Sequence, residues 1–327
     1  MYWDIVKGVA ILFVILGHAL QYSCKEEAGY INNVFFKFIY GMHMPLFMFM
    51  SGYFFYHSTQ KHDSIDILQT RTRQCLLPIV TLTVIACLMH KEYAPLHIIG
   101  KIVGVSYWFL WALFWLSCIM LVIKKWPLYI HILICFISFA IPTFGISKYI
   151  WFMYPFFLAG FWFNKKSNIK SIIDRNIVLF AGIGGILYFG LLFLIKKEVY
   201  IYWSTYTVLY GSGFHQVLLN LQRLLTGFSG TLFVLGLIRV TYKHYFRAIQ
   251  RFLSYLGRNT LQLYVISTFF IFQKIESFFA SESINSLTVI IAFVSITIIS
   301  IAIVSFLKRF SITNFLFFGE KLKTGWS

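Results

Sequence analysis

Long apolar stretches alternate with short charged or Gly-, Pro- and Asn-containing breaks along the 327 residues of the chain. A helix needs about 20 apolar residues to cross a bilayer, and most stretches approach that length. No loop is long enough for a soluble domain, so we predict one domain over residues 1–327. The pattern predicts ten membrane helices, over residues 3–22, 34–57, 75–90, 107–123, 128–143, 149–163, 177–195, 222–239, 259–279 and 286–307.

Composition supports this class of protein. Hydrophobic residues make up 59% of the chain and charged residues 12%, with a mean hydropathy of +0.76. A soluble domain with this composition could not cover its apolar surface with polar side chains. We therefore predict an all-α fold, a polytopic integral membrane bundle. The five cysteines lack the spacing of a metal site and are expected to pack as small hydrophobic residues.

The distribution of positive charge predicts an orientation. With both termini in the cytoplasm, 18 of the 28 Lys and Arg residues lie on the inside, which follows the positive-inside rule. The net charge of +17 then reflects basic loops facing anionic membrane lipid, and nucleic acid is not an expected partner. Residues 243–258 place cations at helical spacing opposite Phe and Leu. This arrangement is typical of an amphipathic helix in the inner interface, with binding of CoA phosphates as the alternative.

The first predicted helix carries three ionisable residues. On a helix, Lys7 and His18 project from one face about 16 Å apart, and Asp4 lies one turn before Lys7. Ionisable groups inside a membrane are costly and usually face a protein interior or a wet cavity. The pattern therefore predicts a polar path that leads from one membrane surface towards the other.

Two further clusters follow on the second and third predicted helices. His43 lies near the middle of its helix, two residues before Pro45, which is expected to kink the helix and open space. A single histidine in a membrane helix is as often a packing residue, but two on consecutive helices favour a functional role for both. Arg71 and Arg73 precede the third helix and fit either membrane anchors or ligands for oxyanions such as the phosphates of CoA.

These motifs occur in order over most of the chain. They are Asp4-Ile5-Val6-Lys7-Gly8 with Gly17-His18, His43-Met44-Pro45-Leu46-Phe47 with Ser51-Gly52-Tyr53, Arg71 and Arg73 before Leu77-Pro78, Trp108-Phe109-Leu110, Tyr154-Pro155-Phe156-Phe157-Leu158-Ala159-Gly160, and Leu256-Gly257-Arg258-Asn259-Thr260-Leu261-Gln262-Leu263-Tyr264. Together they resemble the membrane acyltransferase-3 family, and most of all its fucose 4-O-acetylase-like branch.

The resemblance implies transfer of an acetyl group from cytoplasmic acetyl-CoA to a hydroxyl of a surface-glycan or lipid-linked sugar, in the bacterial inner (plasma) membrane. Two positions depart from the family pattern. Lys7 stands where the family usually has Arg, and a lysine keeps the charge but loses the bidentate fork. Ser267 stands where many relatives have a histidine, so we assign no catalytic role there.

The chemistry suggests a role for each candidate residue. A sugar hydroxyl must lose its proton as it attacks a thioester, and imidazole, with a pKa near ~6.5, is a suitable base. We hypothesise that His18 is this base and that His43 assists proton transfer or polarises the carbonyl. No set of metal ligands is evident, and no metal cofactor is expected.

The donor would be held by cations. We expect Lys7, oriented by Asp4, to bind acyl-CoA together with Arg71 and Arg73. Because His18 lies in the outer half of its helix, the extended pantetheine arm would have to reach it through a funnel between the helices.

Two alternatives stay open at this point. A transporter or flippase of lipid-linked glycan or of a small solute also needs ionisable residues around a central path, although no inverted repeat is evident. The aromatic residues of the outer segment 200–216 fit either a belt at the membrane surface or stacking on a sugar ring.

Overall fold

The computed structural model describes residues 1–210, 213–272 and 284–322, and these residues form helices and connecting turns without a β-strand. A π-helical turn, Thr72–Leu76, joins the fifth and sixth α-helices. The α-helices are α1 (Tyr2–Tyr22), α2 (Glu27–Ile31), α3 (Val34–Tyr40), α4 (His43–Thr59), α5 (Ser64–Arg71), α6 (Leu77–Met89), α7 (Pro95–Val103), α8 (Trp108–Ile123), α9 (Leu128–Ile137), α10 (Ser147–Lys165), α11 (Ser167–Arg175), α12 (Ile177–Leu192), α13 (Phe214–Thr241), α14 (Arg247–Arg258), α15 (Thr260–Phe272), α16 (Ser286–Leu307) and α17 (Ser311–Phe318).

The helix lengths confirm a helical membrane protein. Within the described ranges, six helical stretches, rather than ten, are long and apolar enough to cross a membrane. A seventh is possible if α11 and α12, which meet at 82°, form one bent span. The predicted helices at 128–143 and 259–279 correspond to the shorter α9 and α15, and residues 273–279 lie outside the described part of the chain. The six stretches are Tyr2–Tyr22, Val34–Thr59, Ser64–Met89, Pro95–Ile123, Phe214–His244 and Ser286–Leu307.

The second predicted helix is divided into α3 and α4. The break falls at Gly41 and Met42, so that His43 opens α4 instead of lying in the middle of a continuous helix. Pro45 has no N–H to donate to the carbonyl of Gly41, four residues earlier, which is where the helix is interrupted. In the first turn of α4, a proline is tolerated because its N–H would have no helical partner.

The third predicted helix starts earlier than expected. Helical structure runs continuously from Ser64 to Met89 through the π-helical turn, whereas the apolar pattern predicted a start at residue 75. Arg73 therefore lies in the π-helical turn and Arg71 directly before it. Both arginines belong to this helical stretch and do not precede it.

Helices α1 and α14 touch through their backbones. A Cβ atom on Gly8 would lie 2.1 Å from the carbonyl oxygen of Leu253, and one on Gly257 would lie 1.8 Å from that of Asp4. Only glycine permits so close an approach. The predicted amphipathic helix is thus present as α14, and its buried residues Leu253 and Gly257 face α1.

Helices α4 and α10 cross in the same way. A Cβ atom on Gly52 would lie 1.9 Å from the carbonyl oxygen of Phe157, and one on Gly160 would lie 1.8 Å from that of Phe49. Most side chains of both helices are buried, so this crossing lies in the core of the bundle.

We expect Gly52→Ala and Gly160→Ala each to lower the free energy of unfolding by about 1–3 kcal/mol or more, because an added methyl group would overlap a backbone oxygen. The measurement is thermal unfolding in detergent. Gly182→Ala is the control, since a Cβ atom there meets nothing within 4 Å. Equal melting temperatures for all three variants would contradict the close crossing.

Candidate active site

A cavity of about 280 Å³ lies where α1, α4, α14 and α15 meet the π-helical turn. Three of its lining residues are cationic, namely Lys7, Arg71 and Arg258. The structure therefore brings together two of the three cations predicted to bind the donor, and it adds Arg258. The other lining residues are Met44, Phe47, Met50, Ser51, Phe54, Gln74, Cys75, Phe109, Leu113, Gly257, Thr260, Leu261, Gln262, Tyr264 and Glu320.

Lys7 is held in place on α1 by two contacts. Its Nζ lies 2.9 Å from Oδ1 of Asp4, and it also lies 5.0 Å from the centre of the Phe54 ring. Both members of the ion pair keep about a quarter of their surface exposed, 25% for Lys7 and 28% for Asp4. The i, i+3 spacing on a helix is what allows this pair to form.

Arg73 lies in an adjoining polar cavity of about 430 Å³. Arg71 and Gln74 line both cavities, so the two spaces share a wall. The Nε atom of Arg73 is buried and has no hydrogen-bond partner among the described residues. The remaining lining residues of this second cavity are Ser58, His62, Asp66, Ile67, Gln69, Thr70 and Lys321.

His43 is 2% exposed and lines a separate small pocket of about 40 Å³. Its Nδ1 lies 2.7 Å from the carbonyl oxygen of Ile39. A carbonyl can only accept a hydrogen bond, so Nδ1 carries the proton and donates it. In the neutral ring, Nε2 therefore has a free lone pair, as a proton acceptor requires.

His18 and His43 both contact Tyr40. The Tyr40 hydroxyl donates to Oε1 of Gln21, and its oxygen lies 3.3 Å from Nδ1 of His18. Because that hydroxyl proton is already used, Nδ1 of His18 is the donor in the second contact, which leaves its Nε2 unprotonated in the neutral ring. The Tyr40 and His43 rings are 4.8 Å apart, and His18 stacks on Tyr22 at 6.0 Å.

The cationic cavity does not extend to the histidines. Neither His18 nor His43 lines it, and Met44 is the one described residue that lines both this cavity and the His43 pocket. The continuous funnel expected from the sequence is thus two spaces with Met44 between them, and His18, to which the funnel was expected to lead, lines neither of them.

Arg223, on α13, is a residue of this region to which the sequence assigned no functional role. It lines the His43 pocket, is 3% exposed, and uses four of its five N–H groups to hold the segment that precedes α13, while the fifth donates to Asn220 on α13 itself. The sequence feature that could have indicated its importance is an arginine within an apolar helix. Its acceptors are the carbonyl oxygens of Val199 (2.7 Å), Glu198 (2.7 Å) and Thr205 (2.9 Å), Oδ1 of Asn220 (2.6 Å), and Oγ of Ser204.

The segment held by Arg223 brings aromatic rings to the His43 pocket. Tyr200 and Tyr202 line the His43 pocket, and Tyr206 is fully buried. Tyr200 and Tyr206 therefore pack inside the protein, and Tyr202 is half-buried. Residues 211 and 212 of the predicted outer segment lie outside the described part of the chain.

The helices and cavities define a helical membrane protein with a cation-lined cavity beside a pair of histidines. The chain belongs to the acyltransferase-3 family, whose description is "Acyltransferase domain", with residues 2–308 matched. It is 28% identical over 283 residues to "Nodulation protein NolL" of Mesorhizobium japonicum, covering 81% of this chain and 74% of that protein. It is 27% identical over 200 residues to "Nodulation protein NolL" of Sinorhizobium fredii, covering 55% and 53%. No solved structure matches the chain.

We expect Arg223→Lys to destabilise the protein by about 3 kcal/mol, because a single ammonium group cannot satisfy the buried carbonyl oxygens that the guanidinium binds. The measurements are thermal unfolding and limited proteolysis, with cleavage expected first within residues 197–206. Arg309→Lys, at an exposed position, is the control. An unchanged proteolysis pattern would show that Arg223 does not hold this segment.

Proposed function

We propose that this acyltransferase moves an acetyl group from cytoplasmic acetyl-CoA to a hydroxyl of a surface-glycan or lipid-linked sugar, in the bacterial inner membrane. In this proposal both termini lie in the cytoplasm, and α9, α10, α12 and α15, which are shorter or less apolar, join the six long stretches to make ten membrane helices. The observation that carries it is the convergence of Lys7, Arg71 and Arg258 on one cavity of a family member.

The two adjoining cavities suit an extended polyanion. Guanidinium groups form charge-assisted hydrogen bonds with phosphate oxygens, and the unpartnered Nε of Arg73 is one such donor. With the nucleotide phosphates at the cations, the pantetheine arm would run along the apolar wall of the first cavity towards Met44. Lys7 would act as a point charge, which Asp4 keeps in place.

His18 is the proposed general base, through its Nε2. It removes the proton of the sugar hydroxyl as the oxygen attacks the acetyl carbonyl, so that a carbon–oxygen bond forms and the carbon–sulfur bond breaks. The proton then passes to the departing thiolate of CoA. His43 assists as a second proton acceptor or by polarising the carbonyl, and Tyr40, which contacts both rings, keeps them in fixed positions.

In this proposal the thioester passes Met44 to enter the His43 pocket, where Tyr40 connects it to His18. Methionine is unbranched and has three rotatable side-chain bonds, so it can move aside at low energetic cost. When the side chain lies between the two spaces, it would also keep cytoplasmic water away from the reacting groups.

We expect His18→Asn to lower kcat about 100- to 10,000-fold, because asparagine retains a donor towards Tyr40 but has no basic nitrogen. The assay follows transfer of labelled acetyl groups from acetyl-CoA to glycan in membranes with matched expression, and mass spectrometry of the glycan identifies the ester. Arg71→Ala is expected to raise the KM for acetyl-CoA, and His97→Asn is the control.

Retained activity of His18→Asn would reject the base assignment alone. An unchanged acetyl content of the glycan in a strain without the protein would reject the proposal that the protein is this enzyme. Transport of glycan or solute by the purified protein in vesicles, without acetyl transfer, would favour the transporter or flippase instead.

We expect Met44→Phe to lower kcat about tenfold or more while leaving binding of CoA unchanged, because a rigid ring would obstruct the passage between the two spaces. Met44→Leu, which is similar in volume, is the matched control. A kcat for Met44→Phe equal to that of wild type would contradict a passage at this position.

A further inference from the structure

The segment that follows the matched family region reaches the cationic cavity. The match ends at residue 308, whereas α17 and Glu320 come after it. Helix α17 packs on α6, where the Thr81 hydroxyl donates to the carbonyl of Leu316 at 2.9 Å and Phe318 is fully buried. Glu320 then lines the cavity together with Lys7 and the arginines.

A glycine turn directs the chain into this position. Gly319 has a φ of +65°, in the left-handed region that favours glycine. A Cβ atom on Gly319 would lie 2.3 Å from the carbonyl oxygen of Arg73, so the chain passes directly over the backbone of the π-helical turn. The location of Glu320 is therefore determined by packing against the donor-binding helix.

Glu320 differs chemically from the groups around it. Among the described residues that line the cavity it is the single carboxylate, and it forms no ion pair within 4.0 Å of a described Lys or Arg. Its Oε1 lies 3.5 Å from Nε2 of Gln262, at the outer limit of a hydrogen bond. The carboxylate therefore keeps acceptor capacity within a cavity whose charged groups otherwise only donate.

A carboxylate repels phosphate, but it binds amide N–H groups well. The pantetheine arm of CoA carries two amide N–H groups and a hydroxyl, while the nucleotide carries the phosphates. The three cations match the phosphates, and Glu320 matches the amide donors of the arm.

We propose that Glu320 binds an amide N–H group of the pantetheine arm, so that the segment after the family domain supplies a donor-specificity residue. The inference rests on acyl-CoA being the donor. It makes residues 311–320 part of the binding site and not a tail outside it.

The experiment compares inhibition of acetyl transfer by CoA, by pantetheine and by adenosine 3′,5′-bisphosphate, which has phosphates but no amide. For Glu320→Ala we expect inhibition by CoA and by pantetheine to weaken about tenfold, as for the loss of one hydrogen bond to a charged group, with inhibition by the nucleotide unchanged. Glu320→Gln, which retains a carbonyl oxygen, should fall between Glu320→Ala and wild type. Glu26→Gln, in an exposed loop, is the control.

Two results would overturn the inference. If Glu320→Ala strengthened inhibition by the nucleotide and by CoA alike, the carboxylate would act only by repelling phosphate. If all three inhibitors bound the variants as they bind wild type, Glu320 would not contact the donor. A wild-type protein that neither transfers acetyl groups nor binds CoA would reject the proposed function itself, and this result is distinct from both.

Discussion

The backbone contact between α1 and α14 is the constraint on which the cationic cavity depends. Lys7 directly precedes Gly8, and Arg258 directly follows Gly257, so the crossing of the two glycines brings both cations to one space. Clustered like charges are unfavourable, and of the three cations that line the cavity Asp4 pairs only with Lys7. A polyanionic ligand would relieve this repulsion. A substitution at either glycine would therefore separate the helices and the charges together.

The sequence predicted those parts of the site that follow from local spacing. Asp4 and Lys7 pair because residues three apart share a helix face. The polar path predicted from Lys7 to His18 is not continuous, because the cavity that Lys7 lines does not reach His18. Contacts between distant segments could not be predicted in this way. Gly319 meets Arg73, and the segment 197–206 meets Arg223, through packing that leaves no periodic pattern in the sequence. The class of fold could be predicted from the sequence, whereas the hydrogen-bond partners of individual polar groups could not.

The same distinction explains the errors in the helix boundaries. The apolar pattern predicted that the third helix starts at residue 75, because the preceding residues are polar. Those residues nevertheless continue the helix and line a polar cavity. Hydropathy detects the part of a helix that faces lipid and misses a polar part that faces a binding site. The break at Gly41 escaped detection for a related reason, since the residues on both sides of it are equally apolar.

Arg223 has consequences for how an acceptor can reach the histidines. A buried guanidinium is costly without partners, and here carbonyl oxygens of a single segment supply most of its hydrogen bonds. Opening that segment would expose the cation and several acceptors at once, so the segment acts as a fixed wall over the His43 pocket. In the proposed reaction, an acceptor hydroxyl would then approach beside this wall, on the side of His18. The cationic cavity lies on the other side of Met44, so that in the proposed reaction the donor and the acceptor would enter from different sides.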